Sequence, residues 1–246
     1  MDSVLITGGA GGIGSATAEI LAGSGWKVFL SDIDADRLDE VVSKMSAREG
    51  QIVPLVMDAS SEFAWQQARK VVENHGSELR GLVSNAFFAV VDRLHEQTLE
   101  QWNRQLAVSL TPLFLGIKTF HSHLESQRGS VVSVGSVHSE LGFPGYAAYA
   151  AAKGGLVSMT RQISVEYRGA FRANTVIPGS VRTRVWDNAT PEQLRLAESW
   201  ATVGRIGAPG EVGDAIRFLL SPEASYINGT TITVDGGMTS WISDFQ

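Results

Sequence analysis

The stretch "VLITGGAGGIGSATAEIL", residues 4–21, runs from branched apolar residues through a glycine cluster into a segment of helical period. Residues 4–7 read as a core strand, and Ile13, Ala16, Thr17, Ile20 and Leu21 trace one stripe of the helix that follows. A glycine-rich turn between strand and helix fits a phosphate cradle. Backbone without Cβ atoms approaches a pyrophosphate closely, and the helix N-terminus offers amide N–H groups and a positive dipole end. Two registers fit: Gly9, Gly11 and Gly14 satisfy G-x-G-x-x-G, while Thr7, Gly8, Gly12 and Gly14 satisfy T-G-x-x-x-G-x-G. Glycines also serve tight turns, so the next acidic residue carries weight. Asp32 ends the strand "KVFLSD", 18 positions after Gly14. A carboxylate there accepts hydrogen bonds from both hydroxyls of an adenosine ribose and repels a 2′-phosphate, which favours NAD over NADP. The other reading of Asp32 is a helix N-cap, a job that Asp34 or Asp36 also fits. Arg37 is the one nearby group that favours a phosphate, but it sits inside the next helix.

Working outward, apolar runs at 27–31, 52–57, 81–84, 130–134, 173–177 and 231–234 alternate with segments of helical period. Strands apolar on both faces and spaced by helices mean a parallel sheet covered on both sides. Right-handed crossovers then predict an α/β, Rossmann-type doubly wound sheet with ligands at the carboxyl ends of its strands. Only residues 182–200, "RTRVWDNATPEQLRLAESW", interrupt the alternation, and they read as a substrate lid on a single domain spanning 1–246. A formal net charge of −6 argues against nucleic acid as partner. No apolar run approaches the roughly 20 residues that span a bilayer. The opening "MDSVLITGG" leaves no room for a signal peptide, which predicts a cytoplasmic protein. There is no cysteine, which excludes thiol catalysis and disulfides. The five histidines, His121 and His123 among them, have no metal-site spacing, so no metal is expected.

A second stretch bears on chemistry. In "YAAYAAAK", residues 146–153, Tyr149 lies four residues and Tyr146 seven residues before Lys153, and both spacings bring phenol and ammonium onto one helix face. Ser136, in "VVSVGSVHS", stands thirteen residues before Tyr149 at a strand end. A free phenol has a pKa of about 10, and a neighbouring ammonium together with the positive nicotinamide of NAD⁺ is expected to lower it.

With "TGGAGGIG", "YAAYAAAK", "VIPGSVRT" and "VDGG" in that order, the chain resembles the short-chain dehydrogenase/reductase family over essentially its whole length. The resemblance implies a seven-stranded sheet of order 3-2-1-4-5-6-7 and a nicotinamide cofactor across its switch point. It implies cofactor contacts from Thr7, Gly8, Gly11, Gly12, Ile13 and Gly14 in the turn, and from Asp32 and Ile33 at the adenosine. Asp58 and Ala59 would meet the adenine, although Asp58 also fits a cap for the helix near Ser61. Asn85 and Ala86 would lie beside the central strand, and Pro178, Gly179, Val181 and Thr183 would line the nicotinamide. The lysine-minus-four tyrosine is the family's usual acid/base, so Tyr149 would exchange the proton while hydride moves between a secondary alcohol and NAD. Ser136 would hold the oxygen, and Lys153 would also bond the nicotinamide ribose. The lysine-minus-seven spacing marks an enoyl-reductase branch in which Tyr146 would act, but that branch has a looser glycine turn and lacks the serine. The family also implies a homotetramer (or dimer), built on two long helices and the last strand with its tail "GGMTSWISDFQ".

Two departures stand out. Where the family places a relay asparagine, "EQWNRQLAVSLTPLFLGIK" has Ser109, which joins Ser136, Tyr149 and Lys153 in the candidate catalytic set. Leu99, Trp102, Leu106, Leu113 and Ile117 predict one long buried helix there, started by a Thr98–Gln101 capping box and bent at Pro112. The bend would leave Ser109 and the Val108 carbonyl to hold a water. The second departure is Phe87, in "SNAF", where the family has glycine. That ring would either narrow the pocket or turn outward; turned inward, with Phe88, Phe143, Tyr146 and Trp186 it would line an aromatic substrate site rather than serve plain core packing, and His138, Arg182 or Arg184 would add polar contacts. These departures also suit a redox-inactive, NAD(H)-binding sensor or scaffold. A non-redox role like that of dehalogenating relatives ranks last, because those lack the glycine turn and carry arginine where this chain has Lys153.

Overall fold

Each apolar run forms a strand in the computed structural model, which describes residues 1–46 and 50–240. The strands are β1 (Ser3–Thr7), β2 (Lys27–Asp32), β3 (Ile52–Val56), β4 (Leu79–Ser84), β5 (Ser130–Val134), β6 (Arg172–Pro178) and β7 (Thr231–Val234). All pair in parallel in the order β3-β2-β1-β4-β5-β6-β7. The chain therefore leaves β1 toward one edge and returns to build the other half from β4. That reversal opens a crevice beyond Thr7 and Ser84, the carboxyl ends of the two central strands.

The helices are α1 (Gly12–Gly23), α2 (Ala35–Ser43), α3 (Glu62–Asn74), α4 (Leu99–Ser109), α5 (Thr111–Ser126), α6 (Ala147–Glu166), α7 (Pro191–Ser199) and α8 (Pro209–Leu220). Alternation along the strands divides the core into two layers. Val4, Ile6, Val28, Leu30, Val83 and Val132 pack toward α1, α2 and α8. Leu5, Phe29, Leu82 and Val131 pack toward α3, α5 and α6, around Trp65 and Phe120.

The expected single helix across 99–117 is instead two. It breaks at Leu110, whose φ of −119° leaves the helical range, and Pro112 falls in the first turn of α5. A proline there loses no hydrogen bond, because first-turn N–H groups have no intrahelical partner. The capping box at Thr98 and Gln101 starts α4 as predicted. Leu99, placed on the buried stripe, is 73% exposed, while Leu113 and Ile117 are buried. Residues 182–200 hold a short turn at Arg184–Trp186 and then α7, opened by a Thr190–Gln193 capping box. The segment is anchored where Arg182 N–H donates to the Gly207 carbonyl at 2.8 Å.

Candidate active site

The glycine turn occupies the crevice. Gly8 has φ +68°, and a Cβ on Gly14 would lie 2.3 Å from the Gly8 carbonyl oxygen, so helix and turn meet too closely for any side chain. Gly11, the N-cap of α1, offers no side chain to the first amides of the helix. The turn is held from both sides. Thr7 Oγ1 accepts from the N–H groups of Asn85 and Ala86, each at 3.0 Å. Asn85 Nδ2 in turn donates to the carbonyls of Thr7 at 2.9 Å and Gly8 at 3.0 Å, tying the end of β4 to the end of β1.

Asp32 stands beside this turn, its Oδ2 accepting from Ala10 N–H at 2.9 Å. It does not cap α2; Asp34 does, by accepting from Arg37 N–H. Arg37, inside α2 as the sequence placed it, reaches back to donate from Nε to the Ala10 carbonyl at 2.7 Å. An acid and a base thus grip the two sides of one glycine-loop residue. Ile33 projects from the same strand end, 63% exposed. Asp58 accepts from Ser60 N–H and Oγ, at 2.9 and 2.7 Å, and Ser61 caps α3. Thr183 lies against the turn, its methyl 2.9 Å from where a Cβ on Gly12 would be. Pro178 ends β6, Gly179 N–H donates to the Val234 carbonyl, and Val181 bridges to Gly207.

Ser136, Tyr149 and Lys153 meet at the end of β5. Ala148 and Ala152, fully buried on the inward side of α6, let this helix lie close and deliver the tyrosine and lysine one turn apart. Lys153 is 2% exposed; its Nζ donates to the Val134 carbonyl at 2.6 Å and lies 5.5 Å from the Tyr149 ring centroid. Ser136 Oγ accepts from His138 N–H at 3.3 Å, leaving its own proton for another acceptor. The electrostatics differ from the sequence expectation. Burial pushes the Tyr149 phenol up to about 12, against the downward pull of its hydrogen bond with Ser136, and Tyr146 adds to the rise. Burial likewise pushes Lys153 down to about 7. Burial, which disfavours the charged form of both groups, outweighs any pull of the Lys153 ammonium on the phenol.

An aromatic wall surrounds the pair. The Phe87 ring meets Tyr149 edge-on at 6.0 Å and lies 5.8 Å from Lys153 Nζ, so it faces this pair. His138 touches Phe143, Tyr146 and Tyr149. Trp200 also reaches this wall, 6.1 Å from Phe143, from the far end of the segment that carries Trp186. Phe88 turns to Arg104 instead, which lies 5.1 Å from its ring.

Ser109 is buried, and both halves of its hydroxyl are engaged with one residue: it accepts from Phe88 N–H at 3.0 Å and donates to the Phe88 carbonyl at 3.1 Å. Its one proton is spent on that clamp rather than on a water. Gln105 Oε1 adds a second hold, accepting from Val90 N–H at 3.0 Å. The sequence reading missed Gln105, whose signal is a polar residue one helical turn before Ser109 on the same face. Among the described residues there is no cluster of three or more acidic or imidazole side chains able to hold a metal, and no helix long and apolar enough to cross a membrane.

A sequence model of a protein family described as "Enoyl-(Acyl carrier protein) reductase" matches residues 8–239. The chain is 34% identical over 245 residues to the 2-(S)-hydroxypropyl-CoM dehydrogenase 3 of Xanthobacter autotrophicus, with 96% of each chain covered. It is 32% identical over 236 residues to the 2,5-dichloro-2,5-cyclohexadiene-1,4-diol dehydrogenase of Sphingobium indicum, covering 95% of this chain and 94% of that one. The solved structure of an oxidoreductase of the short chain dehydrogenase/reductase family from Burkholderia thailandensis matches with a TM-score of 0.89 and 30% identity, over 98% of this chain and 93% of that one.

Proposed function

The chain belongs to the short-chain dehydrogenase/reductase family, and from that premise we propose that it is an NAD-dependent oxidoreductase interconverting a secondary alcohol and a ketone. The observation that carries this reading is the convergence of Ser136, Tyr149 and buried Lys153 beside the glycine turn. The crevice suits a dinucleotide: the crowding at Gly14 keeps a cradle free of side chains, and Asp32 presents a carboxylate at its adenosine end. NAD, when bound, supplies the hydride acceptor or donor. Ser136, which accepts from His138 N–H and is hydrogen-bonded to the Tyr149 hydroxyl, turns its proton to the substrate oxygen. Tyr149 takes the alcohol proton in oxidation as the phenolate and returns it in reduction as the phenol. Lys153, fixed on the Val134 carbonyl, orients the phenol and supports its ionised form when protonated.

Tyr149 is preferred over Tyr146 because both Ser136 and Lys153 contact it, whereas Tyr146 sits at the N-cap of α6. The reading extends to one domain with 182–200 as a lid, and to a cytoplasmic homotetramer that covers exposed Leu99 on α4 and Phe114 on α5. The last part of the tail assigned to that interface, residues 241–246, lies outside the described residues.

The test is NADH formation at alkaline pH by wild type and Tyr149→Phe across secondary alcohols, polyols and cyclic diols. Turnover that vanishes in the variant supports Tyr149 as acid/base. Turnover that persists moves the role to Tyr146, and tight NADH binding without any turnover favours the sensor reading.

A further inference from the structure

Phe87 stands where the resembled family has glycine, and it brings a large ring into the crevice. That ring is 51% exposed, although it lies against Tyr149 and buried Lys153. A phenylalanine exposed on an open surface is ordinary, but one lining a crevice beside reacting groups presents apolar area for a ligand to cover.

The ring is fixed from both sides of its own backbone. The N–H groups of Asn85 and Ala86 are tied to Thr7 Oγ1, and Phe88 is clamped by Ser109 through its N–H and its carbonyl. Ala86 also touches the glycine turn, since a Cβ on Gly8 would lie 2.9 Å from its Cα. The edge-on contact with Tyr149 at 6.0 Å and the Lys153 ammonium 5.8 Å from the ring centroid both hold the ring inward. Hydride and proton leave one C–OH unit, so the reacting carbon belongs between the cradle and the phenol. Phe87 follows directly on the residue that touches the cradle, and its ring touches the phenol.

A carbinol carbon carries two carbon substituents, and the groups around Tyr149 treat them unequally. Phe87 closes one approach with a ring on a pinned backbone. The other wall, His138 and Tyr146, continues through Phe143 to Trp200, at the end of the segment read as a lid.

We propose that Phe87 is a specificity-determining residue that takes up room beside the reacting carbon, so that the site accepts secondary alcohols with one small substituent and rejects those bulky on both sides. With glycine at this position the same wall would be absent. This rests on the reading of Tyr149 and Ser136 given above.

The experiment compares two isomers, 2-nonanol and 5-nonanol, on wild type, Phe87→Ala and Phe87→Leu. The isomers share one formula, but the first carries a methyl on the carbinol carbon and the second a butyl on each side. kcat and KM are measured with NAD⁺. In parallel, binding of each alcohol to the NADH-loaded protein is ranked by ligand-observed NMR, and NADH binding itself reports that each variant is folded. Wild type should favour 2-nonanol in kcat/KM by about tenfold or more, the scale on which a pocket wall discriminates methylenes. In Phe87→Ala the ratio should fall toward unity through a gain on 5-nonanol, which a merely loosened site does not give, and in Phe87→Leu much of the preference should remain. Equal treatment of the isomers by wild type, the reverse preference, or a preference that survives in Phe87→Ala overturns the proposal. If neither alcohol is oxidised, that counts against the oxidoreductase reading separately, and the NMR ranking still decides. A 2-nonanol preference lost in Phe87→Ala then sustains the role of Phe87, whereas equal binding of the isomers, or binding of neither, ends it.

Discussion

Asp32 and Arg37 meet on Ala10, one on its N–H and the other on its carbonyl, so the adenosine end of the crevice carries both signs of charge. On the proposed NAD reading the carboxylate would exclude a ribose 2′-phosphate, and the guanidinium is already within reach of the turn. Asp32→Ser should therefore raise the NADP⁺ to NAD⁺ ratio of kcat/KM by about tenfold or more, equivalent to about 1.4 kcal/mol of discrimination. Steady-state rates with both cofactors measure it, and an unmoved ratio would show that Asp32 does not face the ribose. Asp32 itself was legible in the sequence, because it closes a strand at the right distance from the turn. Arg37 was not, since a side chain reaching back from a helix to a loop 27 residues earlier leaves no local pattern.

At the level of elements, the break at Leu110 and the clamp on Phe88 explain how α4 positions the aromatic wall. Phe87 is held against Tyr149 because its neighbour, Phe88, is pinned on both backbone groups by Ser109. Ser109→Ala removes both bonds and should cost roughly 1–3 kcal/mol of stability in urea unfolding while raising KM, as Phe87 loosens. Asparagine carries a donor and an acceptor on one side chain and can replace the hydroxyl on both Phe88 groups. Ser109→Asn should accordingly keep stability and change turnover only modestly; a large gain in rate would show that a proton relay, not the clamp, is what this position limits. The capping box at Thr98 was readable because it is a local pattern four residues long. The split of the helix was not, because Pro112 is compatible both with a kink inside one helix and with the first turn of a second.

For the whole molecule, the buried lysine links catalysis to folding stability. Lys153 titrates near 7 in the folded chain against an ordinary value of 10.5, so between those values the unfolded chain binds more protons. Stability should rise with pH across that window, by at most roughly 1.4 kcal/mol per pH unit, and be lost as pH falls toward 7. Tyr149 acts with the opposite sign above its ordinary value of 10, where the folded chain retains a proton up to about 12. In Lys153→Met the rise between pH 7 and 10 should disappear, which denaturant melts at pH 7, 8 and 9 would register. A rise that persists would mean other groups govern it.

By itself, the sequence determined the strand–turn–helix start, the parallel seven-stranded sheet and the spacing of Ser136, Tyr149 and Lys153. Those features rest on short-range periodicity and on glycines whose missing Cβ atoms answer a local steric demand. Only the tertiary structure decided which way Phe87 turns, that Trp200 reaches the wall, that Arg37 returns to the glycine turn, and that Ser109 is spent on Phe88. It also decided how deeply the Tyr149 phenol is buried, which pushes its pKa up. Each of these depends on contacts between residues far apart in the chain or on how deeply a charge is buried, and neither distance nor desolvation is written in the local order of residues.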